Sequence, residues 1–85
     1  MSSENRESVE ELKYLLGNMG LEILLAIEKG AKNMETIKLF SGIPIACIKG
    51  RIPVLMDLEL IKKEIGGYIL TLKGSRFKNS LEKAT

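Results

Sequence analysis

The chain has 85 residues, with 13 basic and 11 acidic side chains, one cysteine and neither histidine nor tryptophan. A chain of this length holds one core and buries roughly 60–65% of its unfolded surface, which leaves little room for an enclosed active site. Without His or a second Cys, zinc-finger spacings, Ser-His-Asp and Cys-His catalytic units and a disulfide scaffold are all excluded.

The net charge of +2 conceals an asymmetry: residues 1–42 carry five basic and seven acidic groups, whereas residues 43–85 carry eight basic and four acidic. Positive potential therefore belongs to the C-terminal half. The apolar stretches fall far short of the roughly 20 residues that span a bilayer, and the first residues are polar and acidic, unlike a signal peptide. The expectation is a cytoplasmic protein with no membrane association. Asp57, Glu59 and Glu64 are too scattered to form an acid–base or metal pair, so the chain is expected not to be an enzyme and to have no catalytic residue, cofactor or metal. Absence of Gln with ten Ile leans toward the composition of a thermophile.

Residues 1–7 show no apolar periodicity and read as a flexible arm ahead of a single domain over 8–85. Ser8 and Glu11 have capping-box spacing, and Val9, Leu12, Leu15 and Leu16 then share a helical face up to about Gly17. Gly17-Asn18-Met19-Gly20 interrupts the helix. Leu21 to Lys29 resumes it with apolar residues around more than half its circumference, as a central core helix requires, and Gly30 suits its end. Asn33 suits the N-cap of a short helix from Met34 to Phe40, which points Met34, Ile37 and one of Leu39 or Phe40 inward. Ser41-Gly42 turns the chain. Pro44 fits the first position of the next helix, about 44–58, where Ile45, Ile48, Ile52 and Leu55 form one apolar stripe and Ala46, Lys49, Gly50 and Pro53 lie toward the open face. An interior proline removes a helix hydrogen bond, which predicts a kink or restart near Arg51. A hairpin over about 60–72 follows, with Gly66-Gly67 in its turn and Ile61, Ile65, Leu70 and Leu72 on one face. A final helix over about 72–83 carries Leu72, Phe77 and Leu81. Cys47 reads as a small apolar filler and Tyr68 as packing across the strand pair.

The fold class is thus mostly α with a small β-hairpin. From Gly30 to Leu81 the chain resembles the small winged helix-turn-helix transcriptional regulators of the MarR and ArsR kind and their single-domain archaeal relatives. The likeness rests on Ile37 and Gly42 in the helix-turn, the Ile48, Ile52 and Leu55 stripe, Leu60-Ile61 entering the hairpin and Tyr68-Ile69-Leu70-Thr71-Leu72-Lys73-Gly74 leaving it. It implies a recognition helix from Pro44 to about Leu58 set into the major groove of double-stranded DNA, with Lys49 and Arg51 as its basic contacts. Lys62, Lys63 and Lys73 would flank the wing and meet phosphates, Arg76 and Lys78 would extend the positive surface, Thr71 would cap the last helix and Gly74 would allow close packing. Homodimerisation through the N-terminal helix is also expected, since a domain this small gains from a partner. The segment Ile43-Pro44-Ile45-Ala46-Cys47 offers almost no polar side chain for base readout, and the Gly66-Gly67 tip carries no cation. Those two features motivate the alternative, a winged helix serving as a protein-interaction module in a transcription or replication assembly.

Overall fold

The computed structural model describes residues 8–83; the expected arm, residues 1–7, lies outside the described residues. Four helices and one hairpin follow in the order α1 (Val9–Glu28), α2 (Met34–Ser41), α3 (Ile45–Asp57), β1 (Ile61–Glu64), β2 (Gly67–Leu70) and α4 (Leu72–Lys83). α1 is the centre of the molecule and packs against α2, α3, α4 and β2.

The capping box forms as the spacing requires: the Glu11 amide donates to Ser8 Oγ at 3.1 Å and the Ser8 amide to Glu11 Oε1 at 2.9 Å. The expected interruption shrinks to one residue. Gly17 takes φ 68°, ψ 178°, a conformation open essentially to glycine alone, so α1 is two helical segments that meet at a kink where the first was expected to end. The bend brings the Leu16 side chain over buried Gly20, where an added Cβ would lie 2.9 Å from Leu16 Cβ. Leu12 and Leu16 enter the core, but Leu15 is exposed with Tyr14 and Met19, because the three lie on the side of α1 away from its partners.

Asn33 caps α2, its Oδ1 accepting from the Thr36 amide at 2.9 Å and the Thr36 hydroxyl at 3.0 Å. Ile37 is fully buried and Met34 packs beside it, whereas Leu39 and Phe40 are both exposed, contrary to the expected inward turn of one of them. At the end of α2 the Ser41 hydroxyl donates to the Ile37 carbonyl at 2.6 Å and accepts from the Ile43 amide at 3.1 Å. Gly42 follows in the left-handed conformation. Pro44 is the N-cap of α3, one residue earlier in the helix frame than expected, and Ile48, Ile52 and Leu55 form the buried stripe.

α3 runs unbroken through Pro53 and does not restart near Arg51. Pro53 and Lys49 are both on the exposed side, so the Lys49 carbonyl that lacks a helical amide partner is open to water and the helix tolerates the loss. Its C-terminus closes with the Leu60 amide donating to the Leu55 carbonyl at 3.0 Å and the Glu59 amide to the Met56 carbonyl at 2.9 Å, the same pair of hydrogen bonds that ends α1 at Gly30 and Ala31. Here the left-handed position falls to Glu59, with φ 61°. Glu59→Gly is therefore expected to stabilise the fold by about 0.5–1 kcal/mol, the left-handed penalty relieved less the added freedom of the unfolded chain. A rise of a few degrees in the thermal midpoint checks it, and an unchanged or lower midpoint would show that the residue is not strained.

The hairpin turn lies one residue earlier than expected, which moves each strand partner by two residues. Ile61 pairs with Leu70, Lys62 with Ile69, Lys63 with Tyr68 and Glu64 with Gly67, which puts Ile65-Gly66 in the turn. Ile61 and Leu70 do share the core-facing side, but Ile65 is left at the tip and Leu72 on the exposed first turn of α4. The shift follows from contacts outside the hairpin. Gly67 has φ 125° and sits on the backbone of Lys32, where a Cβ would overlap the Lys32 carbonyl oxygen, and the Tyr68 amide donates to that same oxygen at 3.0 Å. Gly67 thus belongs to the strand that seats on Lys32, and the turn closes one residue sooner.

Thr71 and Gly74 take the roles expected of them. Thr71 Oγ1 accepts from the Gly74 amide at 3.0 Å and donates to the Glu59 carbonyl, so one hydroxyl caps α4 and ties it to the end of α3. Gly74 is buried against the Leu60 carbonyl, with no room for a Cβ. Phe77 is buried and Leu81 packs partly against the core.

Candidate nucleic-acid interface

The connector Gly42-Ile43-Pro44 redirects the chain by 105° between α2 and α3. Buried Ile43 anchors it from below, and the Ser41 hydroxyl fixes it from within. One side of α3 is consumed by the core, and the other presents Ala46, Lys49, Gly50 and Pro53 to solvent. Lys49 is therefore exposed, as expected, whereas Arg51 is half-buried. Cys47 is a half-buried free thiol packed against the core, and Tyr68 is likewise half-buried.

The hairpin lysines are exposed but not idle. Lys62 Nζ lies 3.6 Å from the Glu64 carboxylate, a solvent-exposed pair worth less than about 1 kcal/mol and readily exchanged for another anion. Lys63 Nζ stands 5.4 Å from the centre of the Tyr68 ring directly across the strand pair, close enough for a cation–π attraction.

Lys73 is half-buried, and its Nζ donates to the Leu58 carbonyl at 2.8 Å. An ammonium at that place opposes the partial negative charge at the end of α3, so Lys73 ties α4 to α3 whatever else it meets. Arg76 is exposed on α4. Lys78, expected to extend the positive surface, instead lies between Glu82 at 3.1 Å and Glu28 at 3.4 Å. Its hydrogen bond to Glu82, and after it that to Glu28, raises its ammonium above the ordinary lysine value against the opposing effect of burial. Its charge is balanced by these two carboxylates.

Two surface grooves take in Lys62, Lys63 and Lys73. One, of about 460 Å³, is lined by Met56, Ile61 and Leu72 with Lys62 and Lys73 on its rim. The other, of about 360 Å³, lies between the start of α2 and the hairpin tip and brings Lys32 and Lys63 together beside Ile65 and Tyr68. Lys49, Arg51 and Arg76 line neither groove. Lys32 and Ile65 are the residues that the sequence pattern missed. Lys32 sits in the net-acidic half and gave no signal of its own, while Ile65 was masked by placing the turn at Gly66-Gly67. Among the described residues, no group of three or more His, Cys, Asp or Glu could hold a metal ion, and no single helix is long and apolar enough to cross a membrane. No protein-family model matches the chain, and no curated protein matches it.

Proposed function

We propose that this is a winged helix-turn-helix protein that binds double-stranded DNA, a small cytoplasmic transcriptional regulator with α3 as its recognition helix and the β1–β2 hairpin as its wing. The observation that carries the reading is the 105° turn between α2 and α3 across three residues that include a glycine, within the range of about 90–120° typical of helix-turn-helix pairs. A hairpin bearing Lys62 and Lys63 follows α3 directly, as a wing follows a recognition helix. Lys49, Lys62, Lys63 and Arg76 are exposed and supply phosphate contacts in this reading; Arg51 and Lys73 act from half-buried positions. Because phosphate contacts position a protein without reading sequence, and α3 exposes few polar side chains at its start, affinity here is largely sequence-independent. The exposed Tyr14, Leu15 and Met19 support a homodimer through α1.

Titration of labelled random duplex DNA by fluorescence anisotropy at two salt concentrations tests the proposal. Micromolar binding that weakens steeply with salt is expected, and no binding at low salt would end the DNA reading. A second reading, a protein-interaction module, is favoured by Leu39 and Phe40, which stand 82% and 51% exposed at the end of α2 beside the helix-turn. Charged substitutions at those two positions separate the readings: they leave DNA affinity unchanged if the ligand is duplex DNA bound by α3 and the wing.

A further inference from the structure

The one-residue shift of the hairpin turn changes what its tip presents. Ile65 is 108% exposed, more than in an extended chain, so it contributes nothing to the core. Single exposed apolar residues are ordinary on protein surfaces. This one is set apart by its place: it occupies the two-residue turn at the far end of the hairpin, beyond the last pair of the ladder. Its neighbour in the turn, Gly66, is exposed and has no side chain, so the tip is one side chain wide.

The tip is also held firmly. Glu64 and Gly67 close the turn as the last pair of the ladder, Gly67 is seated on the Lys32 backbone, and the Tyr68 amide bonds the Lys32 carbonyl. Beside the tip, Lys32 and Lys63 line one groove with Ile65, and the Glu64 carboxylate is engaged by Lys62. An apolar point beside two cations suits a surface whose apolar centre borders a row of anions. The stacked base pairs of a duplex, bordered by two rows of phosphates, have that pattern. The single side chain at the tip, and not the two-stranded ribbon behind it, is narrow enough for a minor groove about 6 Å wide and 7.5 Å deep.

We propose that Ile65 is an apolar wedge that enters a base step from the minor groove, unstacks it and kinks the duplex. This inference rests on the DNA-binding reading above. Lys32 and Lys63 then meet phosphates beside the wedge, and the energy recovered by burying Ile65 offsets part of the cost of unstacking. Preference follows from deformability: steps such as TA, which open most readily, bind best without any hydrogen bond to a base edge.

The test uses the full chain and a duplex of about 30 base pairs rich in TA steps, end-labelled for energy transfer and carrying 2-aminopurine at a central step. Wild-type protein is expected to raise both end-to-end transfer and 2-aminopurine fluorescence. Ile65→Thr keeps the β-branched shape at the turn and should melt at the wild-type temperature. It should bind roughly tenfold more weakly with the same salt dependence and leave both signals at the free-DNA level. Lys62→Gln with Lys63→Gln should do the converse, flattening the salt dependence while the complexes that form at low salt still bend. If Ile65→Thr bends and unstacks the duplex as wild type does, or if wild type binds without bending, the wedge is overturned and DNA binding stands. If wild type binds no duplex at low salt, both readings fall.

Discussion

A protein carrying Lys49→Gln, Lys62→Gln and Lys63→Gln together is expected to bind duplex DNA about 500-fold more weakly than wild type near 0.1 M salt. The size follows from counterion release. Each lysine that neutralises a phosphate contributes about 0.9 to the slope of log affinity against log salt, so three contacts remove nearly 3 from it and between two and three orders of magnitude from the affinity at that salt. Glutamine retains length and polarity, and all three positions are exposed. The folding cost is limited to the Lys62–Glu64 pair and the Lys63–Tyr68 contact, each worth about 1 kcal/mol or less. Circular dichroism at the titration temperature verifies that the variant is folded. Affinity and slope that both stay at wild-type values would remove α3 and the hairpin from the DNA surface.

The largest loss of stability is expected from Gly67→Ala. Two independent costs meet at this residue. Its φ of 125° is a conformation that L side chains rarely adopt, which costs about 1–3 kcal/mol, and its Cβ would overlap the Lys32 carbonyl, which adds an overpacking cost of similar size. Retreat from that overlap would also break the Tyr68 amide bond to Lys32. A domain of this size is stabilised by about 4–13 kcal/mol in all, so a loss of about 3–5 kcal/mol takes much of what it has. Urea unfolding measures the effect, and a midpoint within error of wild type would mean that the hairpin does not depend on its seat against Lys32. Gly66→Ala is the internal control, since nothing lies within 4 Å of its Cβ position and its φ is not positive.

The helices were legible because their signals are local. Ser8 with Glu11, Asn33 with Thr36 and the left-handed Gly42 each satisfy backbone groups within four residues, and the Ile48, Ile52 and Leu55 stripe needs only the helical period. The hairpin register was not legible, because the residue that decides it lies more than thirty positions away along the chain: Lys32 claims Gly67. A Gly-Gly pair offers two residues able to take positive φ, and the sequence alone does not say which of them the fold uses; only Gly67 does. Leu15, Leu72 and the one of Leu39 or Phe40 expected inward were misplaced for a related reason. Periodicity marks an apolar residue near a buried stripe as buried, while the width of the stripe is set by how many neighbours the helix has. For the candidate site, charge placed Lys62 and Lys63 on the surface correctly, but their partners, and the diversion of Lys73 to the end of α3, depend on three-dimensional proximity.

The bend at Gly17 bears on how the molecule assembles. It divides α1 into eight residues before and eleven after, each shorter than the 12–15 residues that an isolated helix needs even to be marginal in water. Neither segment can act as an autonomous seed. The segment before the bend is held by its capping box and by the burial of Leu12 and Leu16, the latter against Gly20. In native-state hydrogen exchange, amides of the first segment should open at lower free energy than those around Ile23 and Leu24, making Gly17 the border between an early-opening flap and the slowest-exchanging centre of the domain.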